Sequence, residues 1–173
     1  MTDTSLTIDA VNALSGEAFV ETFGDIAEHA PWVAAEAVED RPFDDRDEMI
    51  EAFGEVIRDA SREDQRALLI AHPDLAGRAA IAGDVTADSA REQAGAGLDR
   101  LTPEEYARFA VLNERYRAQF GIPFIFAVRG ATKHQILASY EQRILRDAED
   151  EFEAAVEQVI RIVRFRLEDR VLL

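Results

Sequence analysis

The chain has 173 residues, of which 47% are apolar and none is cysteine. It is long enough to bury a core unaided, and it excludes disulfides, thiol catalysis and Cys-based zinc sites. Asp plus Glu number 35 against 19 Lys plus Arg, a net charge of −16, which repels nucleic-acid phosphates and anionic membrane surfaces.

Of the basic residues only Lys133 is lysine, and strong acidity with so little lysine predicts adaptation to high salt, where a charged surface is screened and soluble. Met1–Thr7 has no basic region followed by an apolar run, and no stretch approaches the roughly 20 apolar residues of a membrane span. The expectation is a soluble cytoplasmic protein with one domain over residues 1–173.

The pattern predicts helices almost throughout. Ile8–Leu14 is a short apolar opening turn. Ser15-Gly16-Glu17 starts a helix carrying Phe19, Val20 and Phe23, which Gly24 ends. Pro31 suits a first helical position, with Trp32, Val33 and Ala37 following until Arg41-Pro42. Asp44 or Asp45 opens an amphipathic helix with Met49, Ile50, Phe53, Val56 and Ile57 on one face. Ser61 caps the next, which stops at or just before His72 because Pro73 disfavours helical geometry at the preceding residue.

A loop-like stretch follows at Gly83-Asp84-Val85-Thr86, and a short helix opens at Ser89. Thr102-Pro103-Glu104-Glu105 combines a cap, a first-position proline and a Glu three after the cap. That helix runs through Phe109, Leu112, Tyr116 and Phe120 to Gly121. Ile122–Val128 is a continuous apolar run in which Pro123 argues against a central strand. It reads as a buried extended segment whose backbone groups lack a ladder and must find partners elsewhere. Thr132-x-x-Gln135 starts another helix, and Asp147 caps the last and longest. The fold class is all-α, a multi-helix bundle of about eight helices with one buried extended segment.

Three stretches carry possible chemistry. His72 is an imidazole at a helix C-terminus on a backbone fixed by Pro73. The helix dipole favours its protonated form there by about 0.3–1 kcal/mol, so it suits an acid near neutrality. Ser89, Glu92 and Gln93 lie three and four apart and share a helix face, though Ser89-x-x-Glu92 also reads as a capping box. Phe124–Val128 offers backbone groups to a polar ligand, or is simply core. No His pair has i, i+4 spacing and no H-E-x-x-H occurs, so no metal site is expected. No G-x-S-x-G elbow or glycine-rich phosphate cradle is present.

Several motifs, taken together and in order, resemble the OHCU decarboxylase family, OHCU being 2-oxo-4-hydroxy-4-carboxy-5-ureidoimidazoline. They are His72-Pro73-Asp74-Leu75-Ala76, Ser89-Ala90-Arg91-Glu92-Gln93-Ala94-x-Ala96-Gly97-Leu98, Leu112-Asn113-x-x-Tyr116 and Phe120-Gly121-Ile122-Pro123-Phe124-Ile125-Phe126-Ala127-Val128-Arg129-Gly130. Glu28-His29-Ala30-Pro31-Trp32-Val33 and the Arg-rich last helix are similar too.

The resemblance implies an all-helical, cofactor-free homodimer that takes the last step of urate breakdown to (S)-allantoin. It implies His72 and Glu92 as catalytic residues. Substrate binding would fall to Pro73, Ser89, Arg91, Gln93, the segment Phe124, Ile125, Phe126, Ala127 and Val128, and an arginine of the last helix. Arg166 is preferred for that role over Arg161 and Arg164. A non-catalytic all-α binding module and a hydrolase acting on a related ureide are the alternatives.

Overall fold

The computed structural model describes residues 5–173, the side chains of Arg78 and Ala79 excepted. Ten α-helices account for most of it, and among the described residues there is no strand, only an isolated bridge between Leu6 and Val171. The expected all-α class holds. Cα packing divides the chain into two compact units, one ending at Leu68 and resuming at Ile160–Leu173, the other Leu69–Val159.

In the first unit α1 (Ile8–Ala13) and α2 (Gly16–Phe23) start at hydroxyl caps, Thr7 and Ser15, each accepting a backbone N–H three residues on. α3 (Trp32–Ala37) follows Pro31, which precedes the helix rather than beginning it, and runs into a 3₁₀ turn at Val38–Asp40. α4 (Arg46–Asp59) is capped by Asp45. Its buried face carries Met49, Phe53 and Ile57, and Phe53 meets the ring of Phe19. Phe19 is the hub, with Phe23, Phe43 and Phe53 centroids at 5.0, 6.4 and 6.1 Å. Each such ring, fully buried, contributes on the order of 1.5–3 kcal/mol.

α5 (Arg62–Ile70) starts at Ser61, whose hydroxyl accepts from the Asp64 N–H at 3.1 Å, and ends two residues before His72. The second unit then contains α6 (Arg78–Ala82), a short helix absent from the pattern reading, and α7 (Ala87–Gly95). α8 (Pro103–Phe120) and α9 (Lys133–Arg143) both begin at complete capping boxes, as their sequences predict. Gly121 ends α8 at φ 72°, the left-handed position that glycine occupies without penalty.

α10 (Ala148–Arg170) starts at Asp147, which accepts from the Asp150 N–H at 3.0 Å. Its residues to Val159 belong to the second unit and the rest to the first. Between α8 and α9 the run Ile122–Val128 is neither helix nor strand and is almost wholly buried, as expected.

A further expectation fails. Ser89 is not a helix cap. α7 begins two residues earlier, and Thr86 caps it by accepting from the Ser89 N–H at 3.3 Å. A hydroxyl one turn upstream, on extended backbone at φ −60° and ψ 156°, takes the role. Ser89 and Glu92 therefore lie inside the helix, and their spacing serves no capping box.

Candidate active site

The His72 loop joins α5 to α6. Pro73 ends helical geometry, the His72 N–H bonds back to the Leu69 carbonyl at 3.2 Å, and the imidazole is 6% exposed. The loop turns at Ala76, which has φ 51°, a region that a residue with a Cβ enters at a cost. Two side chains hold it there. Gln93 Oε1 accepts from the Ala76 N–H at 2.9 Å. Asn113 Nδ2 donates to the Leu75 carbonyl at 2.8 Å. Arg117 closes the loop's outer edge on Asp74 at 2.8 Å.

α7 brings the second group of predicted residues. Ser89 and Gln93 are buried and Glu92 is half-buried. Because Gln93 uses its oxygen on Ala76, its amide is oriented with the NH₂ group turned away, which leaves two donors for a ligand. Arg91 is the outlier: its side chain is 65% exposed and pairs with Asp88 one turn back.

The third group is Phe124–Val128. The Ile125 carbonyl accepts from Arg143 Nη1 at 2.7 Å, and the Ala127 N–H donates to Gln158 Oε1 at 2.9 Å. The Val128 carbonyl accepts from the Ala131 N–H at 2.9 Å. Within the described residues no protein hydrogen bond engages the amide N–H groups of Phe124, Phe126 or Val128. A ladderless segment held at alternate points in this way retains donors for a polar ligand.

Beneath the segment lies chemistry to which the motifs assign no role, although Asn113 and Tyr116 stand in one of them. Arg143 stacks over the Phe124 ring, 4.3 Å from its centroid, and pairs with the fully buried Glu151 at 3.0 Å. Tyr116 donates its hydroxyl to Glu151. Burial, reinforced by that carboxylate, raises the phenol of Tyr116 above the ordinary tyrosine range. Tyr140 stacks on Phe124 with centroids 3.6 Å apart and donates its hydroxyl to Asn113 Oδ1. Burial likewise raises its phenol.

A signal for these residues does exist in the sequence. Asn113 falls in the apolar stripe Phe109, Leu112 and Tyr116, and Arg143 falls in the stripe Ile136, Tyr140 and Ile144. A polar group in such a stripe must be satisfied inside the fold. Which partner satisfies it is a tertiary fact.

The structure thus gathers the His72 loop, the α7 face and the Phe124 segment around shared side chains of α8 and α9. Arg166 is in the first unit, 2% exposed, donating to the Ile26 carbonyl at 3.0 Å and to Glu28 Oε1 at 2.9 Å. A cavity of about 420 Å³ opens beside the loop at Asp74, Ala76, Asn113 and Arg117. None of the predicted site residues lines it.

An all-α fold with an imidazole loop, a polar helix face and a non-helical apolar segment defines the class, and comparison with known proteins places the chain within it. The OHCU decarboxylase family model matches residues 12–168, and the chain belongs to that family. It is 43% identical over 165 residues to a 2-oxo-4-hydroxy-4-carboxy-5-ureidoimidazoline decarboxylase of Haloferax volcanii, covering 95% of this chain and 96% of the relative.

It is 37% identical over 163 residues to the uric acid degradation bifunctional protein PucL of Bacillus subtilis, covering 94% of this chain and 32% of that longer protein. A crystal structure of (S)-allantoin synthase superposes with a TM-score of 0.78 at 31% identity, over 96% of this chain and 54% of that one. A crystal structure of OHCU decarboxylase in the presence of (S)-allantoin shares the fold, with a TM-score of 0.69 at 19% identity, over 86% and 94% of the two chains.

Proposed function

We propose that this protein decarboxylates OHCU to (S)-allantoin in urate degradation, with His72 and Glu92 as its catalytic residues. The observation that carries the reading is a buried imidazole on a loop that the substrate-facing helix itself holds, through Gln93 and Ala76, in a chain of this family.

The substrate bears carboxylate and hydroxyl on C4 and a ureido group on C5, beside a ring C=N. When the C4–carboxylate bond breaks, its electron pair forms C4=C5. The C=N pair moves onto the ring nitrogen, which takes a proton, and CO₂ leaves. The resulting enol then loses its hydroxyl proton as C5 gains one, giving allantoin. The ring itself accepts the electrons, so the reading asks for no cofactor.

The protein must orient the carboxylate and deliver the C5 proton to one face. A placed acid typically contributes 10²–10⁴-fold, and positioning contributes further. His72 delivers that proton, and Glu92 orients it or the ureido group. Ser89, the NH₂ of Gln93, Pro73 and the amides of Phe124–Val128 bind the ring's polar edges. Arg91 acts at the rim.

The same reading includes a homodimer in the cytoplasm. It is supported by the family resemblance, and no helix among the described residues is long and apolar enough to cross a membrane. Light scattering tests the dimer.

The reaction is tested by generating OHCU in situ from urate with the two upstream enzymes and following CO₂ and the circular dichroism of allantoin. Release of CO₂ with one enantiomer supports the reading. Ammonia release would mark a ureide hydrolase, and absence of turnover a binding module.

A further inference from the structure

The peptide bond between Leu75 and Ala76 is clamped on both edges by side-chain amides from two helices. Gln93 of α7 accepts its N–H at 2.9 Å, and Asn113 of α8 donates to its carbonyl at 2.8 Å. Asn113 is itself fixed at its other end, because Oδ1 accepts the hydroxyl of Tyr140 on α9. The Tyr140 ring lies flat on Phe124, at 3.6 Å and 21°. A buried amide with both ends engaged cannot rotate without leaving a donor or acceptor unpaired. The peptide it shares with Gln93 leads into Ala76, which has φ 51°, a conformation that persists only where its surroundings over-determine it.

On the decarboxylase reading above, we infer that Asn113 is a positioning residue for the reaction. Through Leu75 it sets the loop that presents His72, and through Tyr140 it ties that loop to the Phe124–Val128 segment. A substrate held by the segment and protonated from the loop then meets both at a fixed separation. Packing alone does not require this arrangement, since an apolar residue in the stripe Phe109, Leu112 and Tyr116 fills the same space.

The test uses the full chain and two variants. Asn113→Asp keeps the size and an acceptor for Tyr140 and loses the donor to Leu75. Tyr140→Phe keeps the ring on Phe124 and loses the hydroxyl. Turnover of OHCU, KM, the enantiomeric purity of the allantoin and the urea unfolding midpoint are read for each.

The inference expects kcat to fall by about 10-fold or more, as small misplacements of reacting groups do. It expects KM to be little changed and enantiomeric purity to drop in whichever variant folds. It is overturned if the folded variants keep the wild-type kcat and purity while only the unfolding midpoint moves. Should Asn113→Asp fail to fold, Tyr140→Phe decides alone. A wild-type protein without turnover overturns the decarboxylase reading together with this inference, whereas an active wild type with unaffected variants overturns this inference alone.

Discussion

Arg143 and Glu151 form an ion pair at 3.0 Å inside the second unit, and the carboxylate is fully buried. The same guanidinium donates to the Ile125 carbonyl at 2.7 Å. Arg143 therefore shares an interior charge with Arg146, which lies 3.5 Å from the same carboxylate, and holds the segment proposed to bind substrate. Removing one partner of a buried pair costs about 3–5 kcal/mol, while replacing both by apolar residues is often neutral. Arg143→Met should lower unfolding stability by about that amount in urea titration. Combining it with Glu151→Leu should recover only part of the loss, because the Tyr116 hydroxyl then lacks its acceptor, and should not restore activity, because Ile125 still lacks its donor. Recovery of full turnover in the double variant would show that the Ile125 contact is dispensable.

Thr86 and Glu92 lie on one helix with different duties. Thr86 caps α7, and loss of such a cap costs about 0.5–2 kcal/mol. Thr86→Ala should shift the unfolding midpoint by that amount and leave kcat within a small factor of wild type. Glu92→Gln should leave the midpoint nearly unchanged and lower kcat by about 10²-fold or more. Steady-state kinetics and urea unfolding on both variants separate the roles, and a Glu92→Gln protein altered only in stability would contradict the catalytic assignment.

Glu105 closes the capping box of α8 and accepts from Lys133 Nζ at 2.8 Å. The Lys133 hydrogen bond, aided by the Thr102 N–H, lowers its pKa from 4.5 to about 2. The sign follows from the folded value lying below the unfolded one. The contribution is complete above 4.5 and is lost as pH falls toward 2. The stability gap between wild type and Glu105→Gln should be widest near neutrality and close over that acid window. A gap independent of pH would remove the carboxylate's role.

The net charge of −16 predicts stabilisation by salt. Raising KCl from about 0.1 M to about 1 M shortens the Debye length from about 10 Å to about 3 Å and screens self-repulsion. The thermal unfolding midpoint should rise across that range. A flat or falling series would contradict adaptation to high salt.

What the sequence made legible was local. Thr102 with Glu105 and Thr132 with Gln135 encode their helix starts within four residues, and both capping boxes are present. His72-Pro73 fixes the end of α5 in the same way. The start of α7 is not legible in the sequence, because Thr86 and Ser89 both carry a suitable hydroxyl and local pattern does not rank them.

Asn113, which stands in one of the motifs without a role, and Arg143 are illegible as site residues for a different reason. Their partners Leu75 and Ile125 lie 38 and 18 residues away, so only the folded chain defines what they do. Arg166 is a substrate candidate only through the family resemblance. Its bonds to Glu28 and to the Ile26 carbonyl could not be read from that resemblance.

On the proposed mechanism, His72 delivers the proton that decides the product's handedness. This step is tested most directly by supplying OHCU to wild type and to His72→Asn and following allantoin by circular dichroism, with the urea midpoint as a check on folding. The expected result is a protein that still unfolds in one cooperative transition, a kcat lower by about 10²–10⁴-fold and loss of enantiomeric excess in the residual product. A folded His72→Asn protein that forms (S)-allantoin at the wild-type rate would contradict it.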